Sequence, residues 1–84
     1  MKDKVLVRVM IPMGDIAYDI RVPYDLKCAV VTEMIAEMFK TLNQGDLPIG
    51  DSPLLWLIKD DCMLDDTKTF REFRITDSDM LLLI

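Results

Sequence analysis

The first candidates for covalent or acid–base chemistry in this 84-residue chain are its two cysteines and fifteen carboxylates, and there is no histidine. Without imidazole, Ser-His-Asp and Cys-His nucleophiles are excluded, as are zinc sites built on histidine. Cys28 and Cys62 are too far apart in sequence for a CxxC redox pair and too few for a disulfide framework. Two free thiols suit a reducing compartment. Cys28 falls on an apolar helical stripe, where a thiol acts as a small hydrophobe. The acidic pairs Asp60/Asp61, Asp65/Asp66 and Asp77/Asp79 lack the EF-hand spacing. They read as turn residues. The expectation is a protein that is not an enzyme and has no cofactor and no metal site.

The elements that carry these residues come next. Ten basic and fifteen acidic residues give a net charge of −5. That field repels nucleic acid and anionic lipid alike. With 51% apolar and 30% charged residues the composition is that of a folded core. The length suits one domain over residues 1–84. No signal-peptide pattern follows Met1-Lys2-Asp3-Lys4. The longest apolar run, about five residues, is far short of a membrane span. Together these predict a cytoplasmic location.

Val5, Val7, Val9 and Ile11 alternate onto one face of a first strand. Gly14-Asp15 reads as a hairpin turn, and Ile16 to Val22 as a return strand with Ala17, Asp19 and Arg21 on its polar face. Asp25 is the expected N-cap of a helix from about Leu26 to Asn43, closed by Gly45. Its core stripe is expected to hold Cys28, Val31, Met34, Ile35, Met38, Phe39 and Leu42. A loop runs from Asp46 to Pro53. Leu54 to Ile58 is a third strand, Cys62 to Leu64 a short edge strand, and Met80 to Ile84 the last strand. Between them, a helical turn is expected around Thr69 to Phe73. This order predicts an α+β fold, a mixed sheet with one main helix packed on one face.

The segment Leu57-Ile58-Lys59-Asp60-Asp61-Cys62-Met63-Leu64-Asp65-Asp66-Thr67-Lys68-Thr69-Phe70-Arg71-Glu72-Phe73-Arg74-Ile75 and the close Ile75-Thr76-Asp77-Ser78-Asp79-Met80-Leu81-Leu82-Leu83-Ile84 resemble the ubiquitin-like β-grasp superfamily. Ser78 stands where that group usually has glycine. Val22-Pro23-Tyr24 leading into the helix, and the chain size, resemble the small EsaB/YukD proteins of bacterial type VII secretion systems. The resemblance implies a regulatory or accessory component that binds protein partners non-covalently. The chain's last residues, Leu83-Ile84, replace the Gly-Gly tail that ubiquitin-like modifiers and sulfur carriers use. The expectation is that this sequence does no conjugation; a longer native tail would restore that alternative.

A β-grasp sheet has its helix on one side only, and strand side chains alternate. The helix-facing set is then Val5, Val7, Val9, Ile20, Val22, Leu55, Leu57, Leu81 and Leu83. The other face receives Leu6, Arg8, Met10, Trp56, Ile58, Met80, Leu82 and Ile84. A solvated face should be polar, and apart from Arg8 this one is not. These eight residues are the candidate partner-binding site, with Arg8 expected to meet a partner's carboxylate or aromatic ring. A homodimer through the same face is a second possibility, with Trp56 near its symmetry mate.

Overall fold

A computed structural model of the chain describes residues 3–42 and 52–84. The valine-rich first segment forms β1 (Lys4–Ile11), and its alternation buries Val5, Val7, Val9 and Ile11 completely or nearly so. The hairpin turn is a 3-10 turn over Pro12–Gly14, followed by Asp15 in the left-handed region at φ 51°. β2 (Ile16–Pro23) returns antiparallel to β1, with Val7 opposite Ile20 and Arg8 opposite Asp19.

Among the described residues one α-helix, α1, spans Cys28–Leu42. It begins later than expected, and Asp25 is not its cap. The first amides are satisfied at long range: the Cys28 N–H donates to the Lys68 carbonyl (2.7 Å) and the Ala29 N–H to the Asp66 carbonyl (3.3 Å). Asp25 instead accepts from Arg71 Nε (2.8 Å) and Nη2 (3.2 Å), while that guanidinium lies over the Tyr24 ring. The hydrogen bonds from Arg71, opposed slightly by burial, hold the Asp25 carboxyl below the usual carboxylate range.

The buried side of α1 consists of Cys28, Val31, Thr32, Ile35, Ala36 and Phe39. The expected stripe is therefore corrected at three positions: Met34, Met38 and Leu42 are 46%, 39% and 53% exposed. Thr32 takes a core position because its hydroxyl donates to the Cys28 carbonyl at 2.7 Å. Phe39 anchors the helix on the sheet, meeting Tyr18 of β2 edge-on with ring centroids 5.1 Å apart. The expected helix end at Asn43, the Gly45 cap and most of the Asp46 to Pro53 loop lie outside the described residues.

After the loop come β3 (Leu55–Leu57), β4 (Cys62–Met63) and β5 (Met80–Leu83). The five-stranded sheet has the order β2-β1-β5-β3-β4, with β1 and β5 parallel at the centre and β3 antiparallel to both β5 and β4. The stretch between β4 and β5 has no strand but contributes Leu64, Phe70 and Ile75 to the core. Its expected helical turn is present, with the Phe73 N–H donating to the Thr69 carbonyl at 3.3 Å. One helix across one face of a mixed sheet is the expected α+β arrangement, and the fold is ubiquitin-like.

Candidate functional site: the helix-free face of the sheet

All nine residues expected to face α1 are buried: Val5, Val7, Val9, Ile20, Val22, Leu55, Leu57, Leu81 and Leu83. Their neighbours along each strand therefore point the other way. The strand register brings those neighbours into rows. Met10 lies opposite Leu82, Leu82 opposite Trp56, and Trp56 opposite Met63. This row crosses four adjacent strands without a polar side chain, a width of about 14 Å at the usual strand spacing.

A second row runs alongside. Arg8 pairs with Met80, and the Ile58 N–H donates to the Met80 carbonyl at 3.2 Å. On the other flank Leu54 and Ile84 exchange backbone hydrogen bonds at 2.8 and 2.9 Å. Leu54, Ile58, Met63, Met80 and Ile84 are exposed, and Met10, Trp56 and Leu82 are half-buried.

The structure thus joins Met10, Trp56, Ile58, Met80, Leu82 and Ile84 into one surface and adds Leu54 and Met63. Both additions were within reach of the sequence. Leu54 is one step of alternation before Trp56, and counting back across the Asp60-Asp61 turn pairs Met63 with Ile58, on the same face as Trp56; the structure pairs it with Trp56 itself. Leu6 stands at the margin of this surface: it lies opposite Arg21, beyond the start of β5, and lines a hollow with Arg8 and Met80. Its own N–H donates to Asp77 Oδ1 at 3.0 Å.

Arg8 also differs from expectation. Its guanidinium finds a carboxylate within the fold, Asp19 of β2, at 3.7 Å. Both side chains are more than half exposed, so this pair is weak and screened by salt. It forms the polar border of the apolar surface on the β2 side, where Ala17, Asp19 and Arg21 are exposed.

A turn at the other end fixes the phase of β5. The Ser78 N–H donates to the Leu6 carbonyl (2.8 Å), and the Arg8 N–H to the Asp79 carbonyl (2.9 Å). Asp79 Oδ2 accepts from the Thr76 N–H at 2.7 Å and meets Lys59 Nζ at 3.0 Å. Burial pushes the Asp79 carboxyl up, but the Thr76 and Lys59 contacts outweigh it and hold the group below its ordinary value. Ser78 has φ 74°, a left-handed conformation that suits glycine.

The thiols sit away from this surface chemistry. Cys28 is fully buried, and burial, reinforced by the negative charge of Asp66, Asp65 and Glu72, pushes its thiol up to about 11. Such a thiol is a poor nucleophile at neutral pH. Cys62 is half-buried on β4. Asp65 accepts from the Thr67 amide and hydroxyl, as a turn carboxylate does. No group of three or more metal-ligating side chains lies among the described residues. Among them, no helix is long and apolar enough to cross a membrane.

No protein-family model matches the sequence. No curated protein matches it either. The fold has relatives among solved structures. The EccD5 ubiquitin-like domain from Mycobacterium xenopi superposes with a TM-score of 0.80 at 18% identity, covering 99% of this chain and 94% of that one. A chain of the MycP5-free ESX-5 inner membrane complex gives 0.80 at 19% identity over 99% of this chain, which spans only 21% of that longer one. Caldiarchaeum subterraneum ubiquitin gives 0.74 at 18% identity, covering 96% and 91%.

Proposed function

We propose that this chain is a non-covalent ubiquitin-like adaptor or regulator, a cytoplasmic accessory of a type VII secretion machine, and that it binds a protein component through the helix-free face of its sheet. The observation that carries the reading is the unbroken row Met10–Leu82–Trp56–Met63, flanked by Met80, Ile58, Leu54 and Ile84. Ordinary monomers rarely expose a contiguous apolar area of several hundred Å², and such areas commonly mark protein contacts. A centrally placed tryptophan is the residue type most often found to dominate binding energy. Methionines at both ends of the row can repack against a partner's shape. The choice of machine is supported by the resemblance of the Val22-Pro23-Tyr24 entry to the helix and by the likeness of fold to the EccD5 domain and the ESX-5 complex chain.

In this reading the domain catalyses nothing; it supplies a surface. Partner binding should bury Trp56 and leave α1 and the core as they are. The test is affinity capture from the source cells with the wild type, Trp56→Ala and Ile58→Asp side by side. The wild type should retain membrane components of the secretion machine, and both variants should lose them while keeping their circular dichroism. Undiminished capture by both variants would remove the sheet face from the mechanism.

A further inference from the structure

The side of α1 turned away from the sheet is a second apolar surface. Val30, Met34, Met38 and Leu42 follow one another at four-residue intervals, and all are exposed. Side chains four residues apart form a continuous ridge along a helix. From Val30 to Leu42 that ridge extends about 18 Å at the usual helical rise. With Glu33, Glu37 and Thr41 it lines a shallow, widely open groove along α1. A helix packed on one sheet face normally turns polar residues to this side. Here glutamates edge an apolar ridge instead.

We propose that this groove takes a basic amphipathic helix of a partner protein. Charge selects the occupant. Glu33 and Glu37 line the groove, Lys40 is the one basic residue of α1 and stands outside that lining, and the whole chain carries −5. The same field disfavours an anionic membrane. It also disfavours a second copy. A two-fold axis at the middle of the ridge would bring Glu37 close to its own mate, and two bodies of −5 would be brought together. A partner helix with its own apolar ridge fits the geometry, because two four-residue ridges interdigitate at about −50°. Lysines or arginines flanking that ridge would then reach Glu33 and Glu37. Met34 and Met38 adapt to the incoming side chains. This surface does not depend on the sheet face, which lies on the other side of the molecule.

The probe is a synthetic helical peptide of about 18 residues with a leucine ridge and lysine flanks. Its control carries glutamate flanks on the same ridge. Each is titrated into the isotope-labelled full chain and followed by amide NMR. The lysine peptide should shift amides between Val30 and Leu42 and leave the Trp56 indole signal unmoved. The glutamate peptide should bind at least about tenfold more weakly. Met34→Glu and Met38→Glu, at exposed positions, should keep the thermal melt and abolish the shifts. The double change Glu33→Lys with Glu37→Lys should reverse the preference between peptides. Equal affinity for both peptides, shifts centred on the sheet face, or no shifts at all would overturn the proposal. So would a doubled mass in light scattering that Met34→Glu returns to monomer, because a second copy would then own the groove.

Discussion

On the side of the sheet turned to α1, Val7, Val9, Leu57, Leu81 and Leu83 have no exposure. One residue further along the same strands, Met10, Trp56, Met80 and Leu82 are half-buried or exposed. The residue types hardly differ between the two sides, so hydropathy alone does not separate core from surface here. Geometry does. Among the described residues, α1 covers one side of the sheet and no helix covers the other, and alternation deals the side chains between them. Burial removes apolar area from water on the inner side at about 25 cal/mol per Å². On the outer side the same gain is still available to another molecule. An apolar residue on the inner side therefore contributes to folding, and its neighbour can contribute to association.

The adjacent residues Leu57 and Trp56 test this contrast most directly. Leu57→Ala leaves a cavity beneath α1 and should cost about 2–5 kcal/mol in urea denaturation followed by circular dichroism. In a small domain with a total stability of about 5–10 kcal/mol, that is a large fraction. Trp56→Ala removes a larger side chain from the half-buried outer side and should cost about 1 kcal/mol or less, because water replaces it without a cavity. Equal costs at the two positions would mean that the outer row is sealed within the fold and is not a surface.

A smaller effect is expected where the outer face is anchored to its supporting turn. Asp79 holds Thr76 and Lys59, and its carboxyl sits below its ordinary value in the folded chain. A depressed carboxyl gives stability that is present above the unfolded value, near pH 4, and lost as pH falls through the folded value. Asp79→Asn should therefore cost about 1 kcal/mol at neutral pH, a modest figure because Lys59 is partly solvated. It should also flatten the acid side of the stability curve below about pH 4. An unchanged acid limb in the variant would assign the turn's stability to its backbone hydrogen bonds alone.

The sheet was legible in the sequence because a period of two is nearly free of ambiguity when both strands and breakers are clear. Val5, Val7 and Val9 followed by Pro12 and Gly14 leave one phase to choose, and the structure has that phase. The helix was less legible. A stripe drawn through apolar residues placed Met34 and Met38 inward. The structure rotates α1 so that Thr32 and Ala36 take those positions. One fact invisible to hydropathy bears on the rotation: the Thr32 hydroxyl finds the Cys28 carbonyl and is satisfied within the core. Asp25 misled for a related reason. A capping aspartate satisfies amides locally, whereas these amides go to carbonyls about forty residues downstream, at Asp66 and Lys68. Of the candidate site, the alternation along each strand is readable and the pairing at one margin is not: that β5 starts only at Met80, leaving Leu6 at the edge, and that Arg8 meets Asp19 across β1 and β2 follow from register rather than from residue type.

The smallest effect concerns the turn that sets which β5 residues face outward. Ser78 adopts φ 74° while its N–H bonds the Leu6 carbonyl, so the chain enters β5 with Met80 outward and Leu81 inward. A residue with a Cβ is strained in that region and glycine is not. Ser78→Gly relieves the strain but frees the unfolded chain, and the two terms partly cancel. The variant should gain up to about 1 kcal/mol in urea denaturation, with unchanged exposure of Trp56 to a fluorescence quencher. A loss of stability would show that the serine side chain holds the turn. Altered quenching would show that the Ser78 side chain, and not the left-handed backbone and its bond to Leu6, sets the phase of β5, since a slip of one residue exchanges Leu82 for Leu81 and turns the outer face inward.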